Sequence, residues 1–201
     1  MSNLCARVSD DVVVDCDNIP VGGIEQRLIL INVDDLTSAG ITLDVTNPTS
    51  LITGLELLPS KVGYEVQGIK QIMKYTNAAE IPEDSFNGMK HQLIGIKFFD
   101  NSEEARTQIN KYLAGAKVFA VLERKWKGPD NKYAFLFFGM KFGLELAELV
   151  DNSDENDGTT MISLATPSGF KEPYLPHIYR DTDYETSKTA FNNKFAGTVI
   201  R

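Results

Sequence analysis

Cysteine, histidine and tryptophan are scarce in this chain: two, two and one among 201 residues. The two cysteines, Cys5 and Cys16, lie in a polar N-terminal stretch without a CxxC pair or a nearby histidine, so no zinc site can be read from them. Free thiols in a reducing cytoplasm are the expectation. No apolar run approaches the roughly 18 residues that a membrane helix needs. The start, Met1 to Arg7, lacks the basic residues followed by an apolar run that mark an export signal. The chain is therefore expected to stay in the cytoplasm where it is made.

Catalytic signatures are missing as well. His91 and His177 are the only candidates for a general base, and neither sits in a GxSxG, an HExxH or a cysteine-protease motif. A hydrogen-bonded structural role is the expectation for both. Gly22-Gly23 is not followed by phosphate-loop spacing, and neither GxGxxG nor GxxxxGKS/T occurs. No catalytic or cofactor-binding residue is assigned, no cofactor is expected, and the chain reads as a non-enzyme.

Positive charge is in deficit, with 20 Lys and Arg against 28 Asp and Glu and a formal net charge of −8. Such a surface repels polyphosphates and anionic membranes, which disfavours tight nucleic-acid binding. It could still line a passage through which DNA slides without sticking. Lys125, Trp126 and Lys127 suggest a stacking platform for single strands, but a strand end with snorkelling lysines fits an acidic protein better.

What is present is a core and a β pattern. Hydrophobic residues make up 42% of the chain, enough for one sizeable domain. Residues 1 to 24, with a short apolar run at Val12 to Val14, read as an extended arm closing on Pro20-Val21-Gly22-Gly23. Leu28 to Ile31 is short and rich in β-branched residues, which predicts a buried strand. Ile41 to Val45 alternates like a strand with one wet face. Leu55 to Leu58 and Val62 to Val66 flank Pro59-Ser60-Lys61 as a hairpin.

Thr76 to Gly88 is a long polar stretch carrying Ile81 and Phe86, and it predicts an irregular loop. A strand follows at Leu93 to Phe99. Asn101-Ser102-Glu103-Glu104 predicts a helix start capped by Asn101, and Ala105, Ile109, Tyr112, Leu113 and Ala116 recur at helical spacing, with Gly115 near the helix end. Val118 to Leu122, a turn at Lys127 to Asn131, and Tyr133 to Phe138 form the next β pair. Tyr133, Phe135, Phe137, Phe138 and Phe142 either fill a core or line a small-ligand cavity. Phe142, Leu144, Leu146 and Val150 share a strand face, and Thr160 to Ala165 alternates.

Between them Asp151, Asp154, Glu155 and Asp157 form an acidic hairpin tip. Calcium takes such carboxylates, but aligning Gly158 with the glycine of a calcium loop puts Ser153 at the first ligand position and Leu164 where a Glu is needed. No metal residue is assigned. Pro167, Pro173 and Pro176, with Tyr174, His177 and Tyr179, exclude a central strand and predict an arm over residues 166 to 201 with a helical turn near Glu185 to Lys194. The reading is a mainly β, α+β single domain over 1–201, with eight or nine strands and one principal helix.

Three features taken in this order carry a resemblance: Gly22-Gly23-Ile24-Glu25-Gln26-Arg27-Leu28-Ile29-Leu30-Ile31, the helix after Asn101, and Thr160-Met161-Ile162-Ser163-Leu164-Ala165-Thr166-Pro167-Ser168-Gly169. The layout resembles the tail-tube, major tail and neck-ring proteins of tailed bacteriophages, with the phrasing of phages of Bacteroides-like bacteria, and the related tubes of injection systems. The resemblance implies an antiparallel β-sandwich or barrel of tail-tube type whose subunits join in a ring through β edges. Its implied partners are copies of itself, other tail or neck proteins of the virion, and DNA in transit, with no membrane binding. Its implied place is the virion, assembled in the bacterial cytoplasm. Asn77, Glu80, Ile81, Glu83, Asp84 and Phe86 would make the contact between rings, and Tyr174, His177 and Tyr179 the contacts of the C-terminal arm on a neighbour. The proline-rich tail departs from simple tube subunits and raises a neck, adaptor or terminator ring. The rival readings are a ligand-binding β-barrel with a hollow interior and an enzyme with a polar pocket.

Overall fold

Leu28, Ile29, Leu30 and Ile31 are all buried, although successive side chains in a strand point to opposite faces. That is possible only if the sheet is covered on both sides. The computed structural model, which describes residues 19–68, 72–83, 86–154 and 158–197, shows how. The strands run β1 (Ile24–Asn32), β2 (Leu36–Leu43), β3 (Leu51–Leu57), β4 (Tyr64–Gln67), β5 (Lys74–Glu80) and β6 (Gly88–Phe98). Helix α1 (Glu103–Leu113) leads to β7 (Val118–Arg124), β8 (Phe135–Phe138), β9 (Glu145–Asp151), β10 (Thr160–Ala165), β11 (His177–Tyr179) and helix α2 (Tyr184–Asn192).

Seven strands form one sheet in the order β2-β3-β11-β8-β7-β1-β4, and four form a second in the order β5-β6-β10-β9. Every pairing is antiparallel except that of β11 with β3, which is parallel. The architecture is therefore mainly β with two helices, an α+β sandwich.

Alternation along the strands divides the apolar residues between two cores. Leu28 and Leu30, Ala120 and Leu122, and Leu136 and Phe138 face Leu93, Ile96, Ile162 and Leu164 of the smaller sheet. Their neighbours Ile29, Ile31, Phe119, Val121, Phe135 and Phe137 point the other way and pack under Phe191 of α2 and Phe195. Each fully buried large side chain contributes about 1.5–3 kcal/mol by leaving water. Three residues of the aromatic stripe are core: Phe135, Phe137 and Phe138 are fully buried, while half-buried Tyr133 stacks on Trp126 and half-buried Phe142 lies against Phe170.

Several expectations are corrected. Leu55 to Val66 is not a hairpin. β3 and β4 lie five strands apart in the large sheet, β4 at one edge and β3 next to the other, because after the turn the chain crosses beneath the end of α2 and pairs β4 with the free side of β1, Val66 opposite Leu28. The crossing needs Gly63, where a Cβ would sit 2.4 Å from Ile29 Cγ2, and its amide donates to the Lys194 carbonyl at 2.8 Å. Val45 lies beyond β2 and is 97% exposed.

The polar stretch after Tyr75 is not irregular over its length. Lys74 to Glu80 is an edge strand that pairs residue for residue with β6 as far as Gly88. Helix α1 is capped by Ser102, not Asn101: the Ser102 hydroxyl accepts the Ala105 amide. Asp100 in turn accepts from the Ser102 amide and hydroxyl, both at 2.8 Å.

The proline-studded tail is not an extended arm but part of the chain's own domain. It supplies β11, a central strand, and α2, which is longer than the helical turn expected there. Proline lacks the donor a ladder needs, but Pro176 stands just before β11, and the three residues after it carry the pairing. His177 and Tyr179 are each 2% exposed and Tyr174 is half-buried. Of the N-terminal arm, residues 1 to 18, including Cys5, Cys16 and Val12 to Val14, lie outside the described residues, and Ile24 opens β1.

Candidate functional site

The smaller sheet gathers what the sequence singles out. No strand flanks β5 or β9 on the outer side among the described residues, so each leaves backbone donors and acceptors unpaired by a ladder. Five of the seven residues of β5 are exposed: Lys74, Thr76, Ala78, Ala79 and Glu80. Asn77 faces inward across the ladder from His91. Because the four strands alternate in direction, the two open edges run antiparallel to one another.

The tip between β5 and β6 carries Ile81, 73% exposed, and Phe86, 75% exposed, with Glu83 exposed between them and Asp84 outside the described residues. Segment 166–176 braces its base. Met89 and Glu172 exchange backbone hydrogen bonds of 2.7 and 2.9 Å, and Lys171 Nζ donates to the Phe86 carbonyl at 3.4 Å. Phe170 adds a third exposed aromatic or aliphatic surface beside the tip.

The acidic connection lies at the opposite end of the same sheet, where Thr160 pairs with Phe98. The eleven residues of β6 separate the two ends by roughly 35 Å at about 3.4 Å per residue. Asp151 pairs with Arg106 of α1 at 3.5 Å, Asn152 Oδ1 accepts the Asp154 amide, and Asn101 donates to the Gly158 carbonyl. Glu155 and Asp157 lie outside the described residues. Among the described residues there is no group of three or more His, Cys, Asp or Glu that could hold a metal.

Three buried polar side chains, His91, Glu172 and Glu123, are engaged in holding the fold. His91, 1% exposed, accepts the Gly139 amide at Nδ1 (3.3 Å), which leaves the proton on Nε2 to donate to the Tyr174 carbonyl at 2.9 Å. With both nitrogens occupied by backbone, its lone pair is not free to take a substrate proton. Burial lowers its pKa to about 4. Glu172, 1% exposed, accepts the amides of Lys141 and Phe142, the latter at 3.0 Å, and burial raises its carboxyl above the ordinary value.

Glu123, 2% exposed, lies between Lys127 at 2.8 Å and Lys188, and also accepts the Tyr184 hydroxyl. Burial pushes this carboxyl up, but its two ammonium partners more than offset that and hold it below the ordinary value. Lys127 is thereby bound to the fold. Trp126, the ring of the possible stacking platform, already has Tyr133 stacked at 5.8 Å and the Arg124 guanidinium at 4.9 Å. A groove of about 510 Å³ between β3 and α2 is lined mainly by hydroxyl, amide and aliphatic groups, including Thr42, Thr53, Thr186, Thr189 and Asn193.

Sequence reasoning missed the open edge of β5, since Asn77, Ala78 and Ala79 are poor strand formers. It also missed the Glu123 clamp, for which the Glu123/Lys127 spacing is the one local signal. No helix among the described residues is long and apolar enough to cross a membrane. Compared with protein-family models, with curated proteins and with solved structures, the chain matches none.

Proposed function

We propose that this chain is a structural subunit that joins copies of itself edge to edge into a ring, as the tail-tube and neck-ring proteins of tailed phages do. One observation carries the reading: the four-stranded sheet ends in two open edges of opposite direction. A rotation about an axis along the strands brings β9 of one copy beside β5 of the next in antiparallel pairing. Repeating that operation continues one antiparallel sheet through every subunit until it closes, and closure removes the exposed edges.

The two ends of this sheet differ in character. An apolar tip with Ile81 and Phe86 stands at one and the acidic connection with Asp151 and Asp154 at the other. Such polarity suits rings that stack in a single direction, with Asn77 and Glu80 at the subunit seam and Ile81, Glu83 and Phe86 toward the next ring. The net charge of −8 suits a wall along which DNA passes without adhering. The place of action on this reading is the virion tail or neck, with assembly in the cytoplasm of a bacterial host.

A hollow ligand-binding barrel is less well supported, since Phe135, Phe137 and Phe138, which would line it, fill the two cores. The buried tail also removes the reason, drawn from its prolines, to prefer a neck or adaptor ring over a repeating tube. The reading is tested by placing lysines on the open edge, Thr76→Lys with Ala78→Lys. These exposed positions tolerate charge in a monomer and resist edge pairing. A folded variant that sediments as a monomer where the unaltered chain forms rings is expected. Unchanged assembly would overturn edge pairing.

A further inference from the structure

Three segments distant in sequence meet at one corner of the sandwich: the start of β6, the turn 139–143 between β8 and β9, and segment 166–176 before β11. The corner is fastened by buried side chains. His91 takes the Gly139 amide on Nδ1 and gives its Nε2 proton to the Tyr174 carbonyl, while its own amide donates to Thr166 Oγ1. Glu172 reaches from the segment to the turn and accepts the Lys141 and Phe142 amides, so turn and segment are tied to each other. His177 lies against the Tyr174 ring, centroids 6.0 Å apart, 2% exposed, and among the described residues neither ring nitrogen makes a hydrogen bond of good geometry, the Pro48 backbone being the polar group that acts on it.

We propose that His91 and His177 form an acid-sensitive clasp: their neutral rings let the turn 139–143 and segment 166–176 close over β6, and protonation lifts turn and segment together while both cores stay folded. The reason is geometric. A proton added to His91 must go on Nδ1, where it would face the Gly139 N–H, so one buried hydrogen bond becomes an opposition of two donors. A proton on His177 places a charge in a buried site, which burial opposes and the Pro48 backbone favours. Water reaches these rings if the turn or the segment moves, and Glu172 makes them move as one.

The groups facing the rings are few. His91 meets Asn77 from β5, Phe138 from β8, Tyr174 from the segment and His177 from β11, whose charge would further oppose its own. His177 is lowered by burial, against which the Pro48 backbone acts. Both folded values lie below that of the unfolded chain, so the closed corner is at full strength above about pH 6.5 and weakens as pH falls toward the folded values. For His91 alone, from 6.5 to about 4, the full effect is a factor of roughly 300. Glu172 works in the opposite sense: its raised carboxyl takes up a proton more readily in the closed corner, so acid favours closure through it.

These opposite signs supply the test. Hydrogen exchange of the full chain, corrected for intrinsic rates, is compared at pH 7 and about pH 4.5. Peptides covering 139–143 and 166–176 should lose protection about tenfold or more, while those covering Leu28 to Ile31 and Val118 to Leu122 keep theirs. His91→Gln, which retains an acceptor and a donor without a titration, should flatten the change, and Glu172→Gln should enlarge it. Equal protection at both pH values overturns the clasp, as does a simultaneous loss across both cores or an unaltered loss in His91→Gln. If His91→Gln does not fold, the ring protons of the unaltered chain decide by NMR: titration of both histidines well below the ordinary value upholds the clasp, and titration of His91 near 6.5 overturns it.

Discussion

Tyr179 on β11 stands directly across the ladder from Phe135 on β8, their rings edge to face with centroids 6.4 Å apart. Through this pair the last quarter of the chain belongs to the central sheet and to the second core. Tyr179 also meets Phe195 at 5.3 Å, and Phe135 meets Phe191 at 5.1 Å, so α2 is held by the same cluster. Replacing Tyr179 by Ala leaves a cavity where an aromatic ring stood and should cost about 3–5 kcal/mol in urea unfolding. Ending the chain at Thr166 should abolish cooperative unfolding altogether. Persistence of a sharp transition in the truncated chain would show that the tail is dispensable.

The Glu123 clamp should be sensitive to its cations. Lys188→Ala leaves a buried carboxylate with one ammonium and is expected to cost about 1–3 kcal/mol. Removal of both Lys127 and Lys188 is expected to cost about 3–5 kcal/mol. Because the folded carboxyl lies below its unfolded value, this stabilisation is present above about pH 4.5 and fades as pH falls through the folded value. Urea unfolding at pH 7 and at about pH 3 checks it, and the gap between unaltered and doubly substituted chains should narrow in acid.

Gly95 allows the bulge in β6 that sets its register on β10, where Ile162 faces Ile96 but Leu164 faces Leu93. Its φ is +77°, and a Cβ there would lie 2.6 Å from the Ile72 carbonyl oxygen. Gly95→Ala should therefore destabilise by about 2 kcal/mol or more, read by thermal or urea unfolding. A cost no larger than that of an ordinary surface change would contradict the bulge.

Much of this fold is legible locally, and the misses share one cause. The runs Leu28 to Ile31, Val118 to Leu122 and Phe135 to Phe138 announce buried strands because four or five consecutive apolar residues suit only a sheet covered on both faces. The spacing of Ile109 and Tyr112 announces α1, and Ser102 takes the cap next to Asn101 because Asp100 orients it. β5 is hidden because its pairing with β6, not its own composition, makes it a strand. The same holds for β11, three residues long directly after Pro176, which exists because β3 and β8 leave a slot. The Pro59 turn reads alike whether the chain returns to β3 or crosses to β1. Of the candidate surface, the tip is visible as two apolar residues in a polar stretch. The open edges are not, because an edge is defined by the strand that fails to arrive.

Ile81 and Phe86 are 73% and 75% exposed at the tip. Changing both to Ser should leave unfolding free energy within about 0.5 kcal/mol of the unaltered chain. On the stacking reading the same change should shorten or abolish tubes while single rings persist in negative-stain images. Tubes of unchanged length would remove the tip from the contact.

The most direct test of self-assembly is the native mass of the purified chain by light scattering over a concentration series, with negative-stain images of the same fractions. Closed rings or tubes whose mass is an integral multiple of 22.3 kDa are the predicted result. A monomer that persists at the highest concentrations, with no rings in the images, would contradict the account.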